Sequence, residues 1–402
     1  MKKLLTILTA VCLAMSAAAG AAGESPAAAG DETLAGAVSA AEGAVTENKA
    51  LQLGASSVSY PAITGMADGE LQAQVNGQIL EDLQVKEYLD RMTALISDEA
   101  HGVDVRWDGA VYGDVFSSLL EAEGSLKNLR RSHAWTWSNI DLRDGHEITF
   151  GELFTEEDAA REWLEAYLEE TVAPTLSAHL AGSAVTPLPE GFRLEPTGLT
   201  LLYPANQLCT LKERAGAVKI AWNEIRELAD WSEDGIPARI GAAEMTEWTE
   251  ESPERIREMA ESGQLPGIPV VIGDGVKEWT DRMDLLNDPE EYAGGRMFEL
   301  EGAAFRNVYL LSDAVSRGWE DSEVSGIRMD RGCAWGLCIG ETQAAVWRDA
   351  LGEPEDTAVF DADKAESYRT VPGTCDYYEF GEYRLQLQAD GDGVLVSITL
   401  AK

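Results

Sequence analysis

The chain has few cations for its size, and this deficit limits the partners that it can attract. Its 402 residues include 31 Lys and Arg against 71 Asp and Glu, which gives a formal net charge of −40 at pH 7. Nucleic acids and anionic lipids attract proteins through Lys and Arg, so neither is an expected partner. The composition favours a partner with a basic surface, and salt should weaken that association.

Histidines and catalytic motifs are also scarce. The segment that starts at His146-Glu147 lacks the second histidine of an H-E-x-x-H zinc motif. The chain has no G-x-S-x-G nucleophile elbow and neither of the glycine-rich phosphate-binding motifs. We therefore predict no catalytic residue, no cofactor site, no metal site and no enzymatic activity. The four histidines are scattered along the chain: His101, His133, His146 and His179.

No apolar run long enough to span a bilayer follows the N-terminal segment. That segment has Lys2-Lys3, an apolar stretch and the small residues Ala19-Gly20-Ala21, which is the pattern of a secretory signal peptide. Val11 stands before Cys12, where lipid-attachment sites carry a small residue, so a lipoprotein is not expected. We predict a signal peptide at 1–23 and a secreted or extracytoplasmic, cell-envelope associated protein without a membrane span.

Cysteine is limited to five residues, of which Cys209, Cys333, Cys338 and Cys375 follow the signal peptide. An even number permits two disulfides in an oxidising compartment. Cys333 has Cys338 and Cys375 as alternative local partners, and the spacing does not choose between them. There is no C-x-x-C spacing and no histidine near these cysteines, which disfavours a metal cluster.

Composition divides the remaining chain into two predicted domains. Residues 24–52 have few large apolar side chains and are predicted to be a flexible linker. Residues 53–230 and 256–402 carry strand and helix patterns, and residues 231–255 form an acidic linker between them. We predict an α+β fold in which antiparallel sheets pack with amphipathic helices.

Hydrophobic spacing predicts the main elements of the first domain. Residues 58–63 suit a short strand, which Pro61 confines to a sheet edge or a strand end. Asp68 caps a helix in which Leu71, Val75, Ile79 and Leu83 recur every four residues. Further strands are predicted at 192–194, 199–203 and 218–222, and a short helical turn at 223–228.

The stretch 135–154, WTWSNIDLRDGHEITFGELF, predicts a strand, a glycine turn and the entry to a helix. Thr155 is the predicted N-cap, and Pro174 should end the helix near residue 173. The apolar stripe of this helix consists of Ala160, Trp163, Leu164, Tyr167, Leu168 and Val172.

In the second domain the pattern predicts a helix at 253–261 and buried strands at 268–272 and 307–311. Alternating residues between 385 and 399 predict a β-hairpin that turns at Asp390-Gly391-Asp392-Gly393. These four residues also resemble the start of a calcium loop, but Ala401 stands where its Glu is expected, which favours the hairpin turn.

The first domain resembles a known family. Asn139–Gly145 with Gly151–Phe154, Phe192–Leu194 with Gly198–Tyr203, and Val218–Ile225 follow motifs of the extracytoplasmic domain shared by the peptidoglycan deacetylase PdaC and the anti-sigma factor RsiV. This PdaC/RsiV-type domain family, a domain of unknown function, implies a binding or sensing surface without catalysis. In RsiV that surface recognises lysozyme, and a basic lysozyme would suit an acidic partner.

The first domain departs from the family at one loop. Residues 204–209, PANQLC, stand where the family has a Tyr-rich loop, which puts any ligand of that loop in doubt.

The C-terminal part has a resemblance of its own. Residues 337–342 and 347–354 resemble small exported α+β domains that lack catalytic residues.

The tryptophans leave a second function class open. Trp231, Trp248 and Trp319 lie in polar surroundings and could stack on sugars. Core packing is the expected role of Trp135, Trp137, Trp163 and Trp222.

We therefore predict an exported, non-catalytic binding or sensing module at the bacterial cell envelope, with a lysozyme-like protein or a cell-wall glycan as its partner. Loops such as 204–216 are more suitable contacts than the stretch 135–154. The alternatives are a carbohydrate-active hydrolase that uses a carboxylate pair on cell-wall glycans, and a purely structural envelope protein. Because the chain has 71 acids, close carboxylate pairs arise by chance and locate no active site.

Overall fold

Strands and amphipathic helices form an α+β fold in the part of the chain that the structure describes, as predicted. The predicted signal peptide, residues 24–42 of the predicted linker and residues 204–215 lie outside that part, together with Pro174, His179, Cys209 and Trp319. The computed structural model describes residues 43–96, 101–125, 131–172, 188–203, 216–282, 285, 289–292, 295–300, 307–314, 318 and 321–402.

The first sheet has five strands in the order β1-β2-β3-β4-β5, and all neighbours are antiparallel except β2 and β3. Helices α1 and α2 pack against it and share its core. The elements are β1 (Val45–Leu53), β2 (Ser56–Thr64), α1 (Gly69–Asp82), α2 (Val85–Ala94), β3 (Val103–Tyr112), β4 (Val115–Ser125) and β5 (Arg131–Asp141).

Strand β1 corrects the linker prediction for residues 45–52. It pairs with β2 along its whole length, from Val45 opposite Thr64 to Leu53 opposite Ser56. Large apolar side chains are not needed for this, because the backbone groups make the ladder bonds. Low apolar content therefore does not mark this strand as unstructured.

Helix α1 confirms the predicted cap and stripe, and it also completes the edge of β2. The side chain of Asp68 accepts hydrogen bonds from the amides of Glu70 and Leu71. Strand β2 pairs with β3 only at Ser57 and Val58, which leaves the end that carries Pro61 open on that side. There Asn76 accepts a bond from Ile63 N at 2.7 Å and donates one to Ile63 O at 2.8 Å.

The second sheet consists of β6 (Gly191–Glu195), β7 (Gly198–Tyr203) and β8 (Gly216–Ala221). Helix α3 (Glu157–Tyr167), which continues as a π-helical turn to Val172, packs on it through Ala160, Leu164 and Leu168. The predicted strands and the short turn, Trp222–Ile225, are confirmed. The predicted N-cap is wrong by one residue.

Glu156 occupies that N-cap position. The reason lies in the residue before it, because Thr155 N donates to Leu228 O at 3.0 Å beside the bridge between Phe154 and Ala229. This tertiary contact holds Thr155 outside the helix.

The segment 231–255, which its acidity predicts to be a linker, contains α4 (Ile236–Arg239) and α5 (Ala242–Thr246). Ile236, Ile240 and Met245 are buried. The few apolar residues of this segment are spaced so that they reach the neighbouring cores, although acidic residues dominate its composition. The division into domains at 231–255 stays a prediction.

The C-terminal part is built on an eight-stranded sheet in the order β15-β16-β17-β18-β12-β11-β10-β9. One face packs on α6 and shares a large core with α7 and α8. The elements are α6 (Ser252–Ser262), α7 (Val276–Arg282), β9 (Glu290–Tyr292), β10 (Gly295–Phe298), β11 (Val308–Ser312), β12 (Gly326–Met329), β13 (Cys333–Ala334), β14 (Leu337–Cys338), α8 (Ala344–Leu351), β15 (Asp356–Phe360), α9 (Ala362–Ser367), β16 (Gly373–Phe380), β17 (Tyr383–Asp390) and β18 (Leu395–Ala401).

Three of the four sequence expectations for this part are confirmed: the helix at 253–261, the strand at 307–311 and the hairpin of β17 and β18. The strand predicted at 268–272 is wrong. Ile268, Val270 and Ile272 are buried, but their segment forms no ladder and Ile272 N donates to Gly263 O in the preceding turn. Pro266 and Pro269, which lack backbone N–H groups, hinder pairing here.

The structure chooses between the alternative disulfides. Cys333 and Cys338, which are opposite each other in β13 and β14, are bonded, and Cys375 is a buried free thiol. Among the described residues, no helix is both long and apolar enough to cross a membrane.

Candidate functional site

The stretch 135–154 is centred on a buried ion pair. Asp141, at the end of β5, is 1% exposed, and its two oxygens accept hydrogen bonds at 2.8 Å from Arg239 of α4. Arg143 adds bonds to the same carboxylate. Burial alone would raise the pKa of Asp141, but the bonds from Arg239 and Arg143 outweigh it and lower this pKa to about 2.

Arg239 also ties the turn between β3 and β4 to this carboxylate. Its Nε donates to Asp114 at 2.8 Å, while its terminal nitrogens hold Asp141. The side chain is only 6% exposed. Arg239 therefore joins three separate chain segments at one buried point, and the arrangement fixes structure rather than presenting a reactive group.

Asp141, Asp144 and His146 have ligand atoms within 4.8 Å of one another, close enough to be compared with a metal site. The donors do not fit a cation, because both oxygens of Asp141 already accept bonds from guanidinium groups. A divalent ion placed there would face the positive charges of Arg143 and Arg239. We assign no metal to this cluster.

His146 lies between two carboxylates on the surface of the same turn. Its Nδ1 is 2.6 Å from Asp144 and its Nε2 is 2.8 Å from Glu152. Partial burial would lower the pKa of His146, but the two hydrogen bonds outweigh it and raise this pKa. The bond to His146 lowers the pKa of Asp144 in return.

Replacing His146 by glutamine should reduce stability in a pH-dependent way. The raised histidine pKa contributes stability below its unfolded value of about 6.5, and that contribution is lost as the pH rises through the folded value. Because the group is 41% exposed, we expect a loss below about 1 kcal/mol near pH 5.5 and less at pH 8. Urea unfolding at both pH values measures it, with exposed Glu147→Gln as the control. An equal loss of stability at both pH values would contradict stabilisation by the protonated His146 between Asp144 and Glu152.

Cations and anions are distributed differently between interior and surface. In the described part of the chain, several cationic side chains are no more than 15% exposed, and each has an acidic partner. Their charge is neutralised by these partners, so these cations do not offset the exposed carboxylates elsewhere on the surface. These side chains are Arg193, Lys219, Arg239, Arg328 and Arg331.

The outer surface of α3 concentrates this anionic charge. Asp158, Glu162 and Glu165 are spaced i, i+4 and i+7, so they share one side of the helix, opposite buried Ala160 and Leu164. Between Glu156 and Glu170 the chain carries one base, Arg161, which pairs with Glu157 at 2.8 Å. We name as the acidic helix face the exposed residues Glu156, Glu157, Asp158, Glu162, Glu165, Glu169 and Glu170.

The same helix carries an aromatic pair on the side of its apolar stripe. Trp163 and Tyr167 are stacked with ring centroids 5.1 Å apart, and both are partly exposed. Arg331, from the C-terminal part, lies over Tyr167 at 5.4 Å and donates to Glu224 at 2.7 Å. Tryptophan and tyrosine are enriched among the residues that dominate protein–protein binding. The helix therefore carries partly exposed aromatic rings as well as exposed carboxylates.

Other predicted positions do not contribute to this surface. Trp231 packs edge-to-face with Trp222 and donates to Arg226 O at 2.7 Å, and Trp248 packs against the C-terminal core. Of the loop 204–216, only Gly216 is described. The carboxylate of Asp390 accepts bonds from Asp392 N and Val394 N within the hairpin turn.

Two clefts in the described part of the chain bear on the hydrolase alternative. One is small and lies beside Lys219 and Arg331, and the other is smaller still and lies on the eight-stranded sheet. A glycosidase needs two carboxyl groups about 5–10 Å apart around the scissile bond. No Asp or Glu among the described residues lines either cleft, so neither supplies such a pair.

Comparison with known proteins gives distant structural likenesses. No protein-family model and no curated protein matches the chain. A DUF3298 family member from Bacteroides fragilis is 14% identical, with a TM-score of 0.36, and the match covers 49% of this chain and 95% of that one. A DUF3298 family protein from Pseudomonas aeruginosa is 11% identical, with a TM-score of 0.31 and coverage of 46% and 93%.

A DUF4309 family protein from Bacillus subtilis is 15% identical, with a TM-score of 0.24, and the match covers 38% of this chain and 98% of that one. These identities and scores assign no function to the chain.

Proposed function

We propose that the protein is an exported, non-catalytic binding or sensing module of the bacterial cell envelope. Its first domain, predicted at residues 53–230 and extended at its start by strand β1, is proposed to be of the PdaC/RsiV type. The proposed partner is a protein with a basic surface, such as lysozyme. Sequence motifs support the family, and the leader pattern supports export. A cell-wall glycan remains the second candidate partner.

The observation that carries the proposal is the acidic helix face. It consists of seven exposed carboxylates on α3, its N-cap residue and its π-helical continuation, and the one base in this segment, Arg161, is paired. An anionic surface of this kind raises the rate of encounter with a basic protein and sets its orientation. Trp163 and Tyr167 of the same helix are partly exposed and could add an aromatic contact at the edge of the interface.

We propose α3, and not the segment 204–216, as the surface that contacts the partner. The carboxylates of α3 are held by a helix whose inner side is fixed in the core through Leu164 and Leu168. A charged surface that is held by a rigid helix loses little conformational entropy on binding. The salt dependence of binding tests this preference, because binding through α3 depends on carboxylates and should weaken strongly as salt is added.

A salt titration of binding tests the proposed function. We expect residues 24–402 to bind lysozyme at about 20 mM NaCl and to lose about tenfold or more in affinity by about 200 mM, because salt screens the charges. Surface plasmon resonance with immobilised lysozyme measures both values. An acidic protein of similar size is the negative control. Absence of binding at the lower salt concentration would refute the proposal for lysozyme.

A further inference from the structure

Strand β1 forms an open edge of the first sheet. It pairs with β2 in a continuous register from Val45 to Leu53, and no other strand in the described part of the chain pairs with its outer side. A long edge strand without a bulge presents unpaired N–H and C=O groups, and it is a template for a further strand. The exposed side chains of β1 are those of Val45, Glu47, Asn48, Ala50 and Gln52.

The two edges of the eight-stranded sheet are protected by acidic side chains. Strand β9 carries Glu290 and Glu291. Strand β15 begins at Asp356 and lies between Glu355 and Asp361. A second copy that paired antiparallel with either edge would bring carboxylates close to carboxylates, which is unfavourable. Natural sheets use such charges to prevent association between edges.

The edge at β1 lacks this protection. Its sequence, VTENKALQL, contains one acid and one base, so its net charge is zero although the chain carries −40. Glu47 and Lys49 lie on the same side of the strand, and Lys49 Nζ is 2.7 Å from Glu47 Oε1. A lysine on an edge strand usually opposes pairing, but the charge of Lys49 is balanced within its own strand.

Strand β1 is complementary to itself when it runs antiparallel to a second copy. With the two-fold axis at Asn48, Glu47 of each copy lies opposite Lys49 of the other copy. In the same register Val45, which is 56% exposed, lies opposite Leu51. Opposite charges and apolar side chains are favourable cross-strand neighbours. Contact of one patch with its own copy is the form that a two-fold symmetric dimer takes.

We propose that β1 pairs antiparallel with β1 of a second copy of this chain, with the two-fold axis at Asn48. The second copy fits this edge better than an unrelated extended peptide, because β1 matches its own reversed sequence in both charge and apolar positions. The pairing joins two five-stranded sheets along their open edges. Because a strand edge is a small interface, we expect a dissociation constant of about 10 μM.

Sedimentation equilibrium of residues 24–402 tests this pairing. In about 150 mM NaCl, which screens the net charge, we expect mainly monomer at about 1 μM and mainly dimer at about 100 μM. Lys49→Glu would leave only carboxylates beside the axis, and Glu47→Lys only ammonium groups. Each single variant should therefore weaken dimerisation by about tenfold or more. Both side chains are at least 41% exposed, so the fold should be retained, which circular dichroism verifies.

A mixture of the two single variants is the sharpest test. In a mixed dimer, the carboxylates of the Lys49→Glu chain face the ammonium groups of the Glu47→Lys chain. We expect this mixture, and also the double variant Glu47→Lys/Lys49→Glu, to dimerise about as well as the unchanged chain. Lys86→Glu makes the same change in net charge at a side chain of α2 that is 85% exposed, and this matched control should leave dimerisation unchanged.

Four outcomes would overturn the proposal: a monomer at about 100 μM, a dimer that survives both single variants, a mixture that stays monomeric, or an equal loss in Lys86→Glu. The proposal does not rest on the proposed function. Neutralising carboxylates on α3 should leave the dimer unchanged, and the monomeric Lys49→Glu chain should still bind lysozyme at low salt. Sedimentation and surface plasmon resonance of these variants therefore distinguish failure of one proposal from failure of the other.

Discussion

Replacing Arg239 by methionine is expected to lower the free energy of unfolding by up to about 3–5 kcal/mol, the cost of breaking a buried ion pair by removing one partner. Asp141 is 1% exposed and would keep only Arg143, which lies on the exposed side of the carboxylate. Asp114 would lose its bond to Arg239 as well. The lost pairing would also raise the pKa of Asp141 from about 2.

Arg143→Met is the matched control, because it removes a second guanidinium from the same carboxylate. Arg143 is 41% exposed, so its loss should cost less than about 1 kcal/mol. Chemical denaturation of both variants at pH 7 gives the comparison. The double variant Asp141→Asn/Arg239→Met should recover part of the loss, since it leaves no unpaired buried charge. Equal effects of the two arginine substitutions would contradict the assignment of Arg239 as the buried partner.

Neutralising three carboxylates on the acidic helix face should have the largest effect on partner binding. In the triple variant Glu162→Gln, Glu165→Gln and Glu169→Gln, we expect the affinity for lysozyme at low salt to fall about 10- to 100-fold. Most of the change should be in the association rate, because long-range attraction is lost. Glutamine retains helix propensity, so the fold should remain intact. Stopped-flow association and far-UV circular dichroism measure these two properties.

The control removes the same amount of charge at another place. Glu353→Gln, Asp363→Asn and Glu366→Gln are exposed positions in the C-terminal part, and their combined effect should be smaller than threefold, or about 0.6 kcal/mol. Equal losses in the two triple variants would mean that net charge, and not the acidic helix face, determines binding. An unchanged affinity in the first triple variant would exclude α3 as the contact.

The elements that could be predicted from the sequence are those set by local chemistry. Helix α1 follows from Asp68 and the four-residue apolar spacing, and the hairpin of β17 and β18 follows from Asp390 to Gly393. At residue 145 the turn requires glycine, because φ is +78° and a Cβ would lie 2.9 Å from Gln74 Nε2. Such features depend on neighbours within a few residues, which a sequence displays directly.

The features that the sequence did not predict depend on tertiary contacts. Arg239 is separated from Asp141 by 98 positions, and it lies in an acidic segment that composition marks as a linker. Thr155 is kept outside α3 by the carbonyl of Leu228, and Val270 is buried without belonging to a strand. None of these contacts leaves a local pattern.

The acidic helix face and the polar side of the eight-stranded sheet differ in the signal that they leave in the sequence. The acidic helix face follows from carboxylates spaced along an amphipathic helix. The sequence alone does not distinguish these carboxylates from the others, because the chain has 71 Asp and Glu. The polar alternation of Gln386, Gln388, Ser397 and Thr399 predicts a solvated sheet side. Its burial depends on Tyr292 and Tyr368, which are distant in sequence and only the fold brings together.

The most direct measurement of the central claim is amide hydrogen exchange of residues 24–402, alone and saturated with lysozyme at low salt. The proposal predicts slower exchange in peptides that cover residues 156–172, and unchanged exchange in peptides from the C-terminal sheet between residues 373 and 401. Protection confined to other segments, or no protection in the saturated complex, would contradict binding through the acidic helix face.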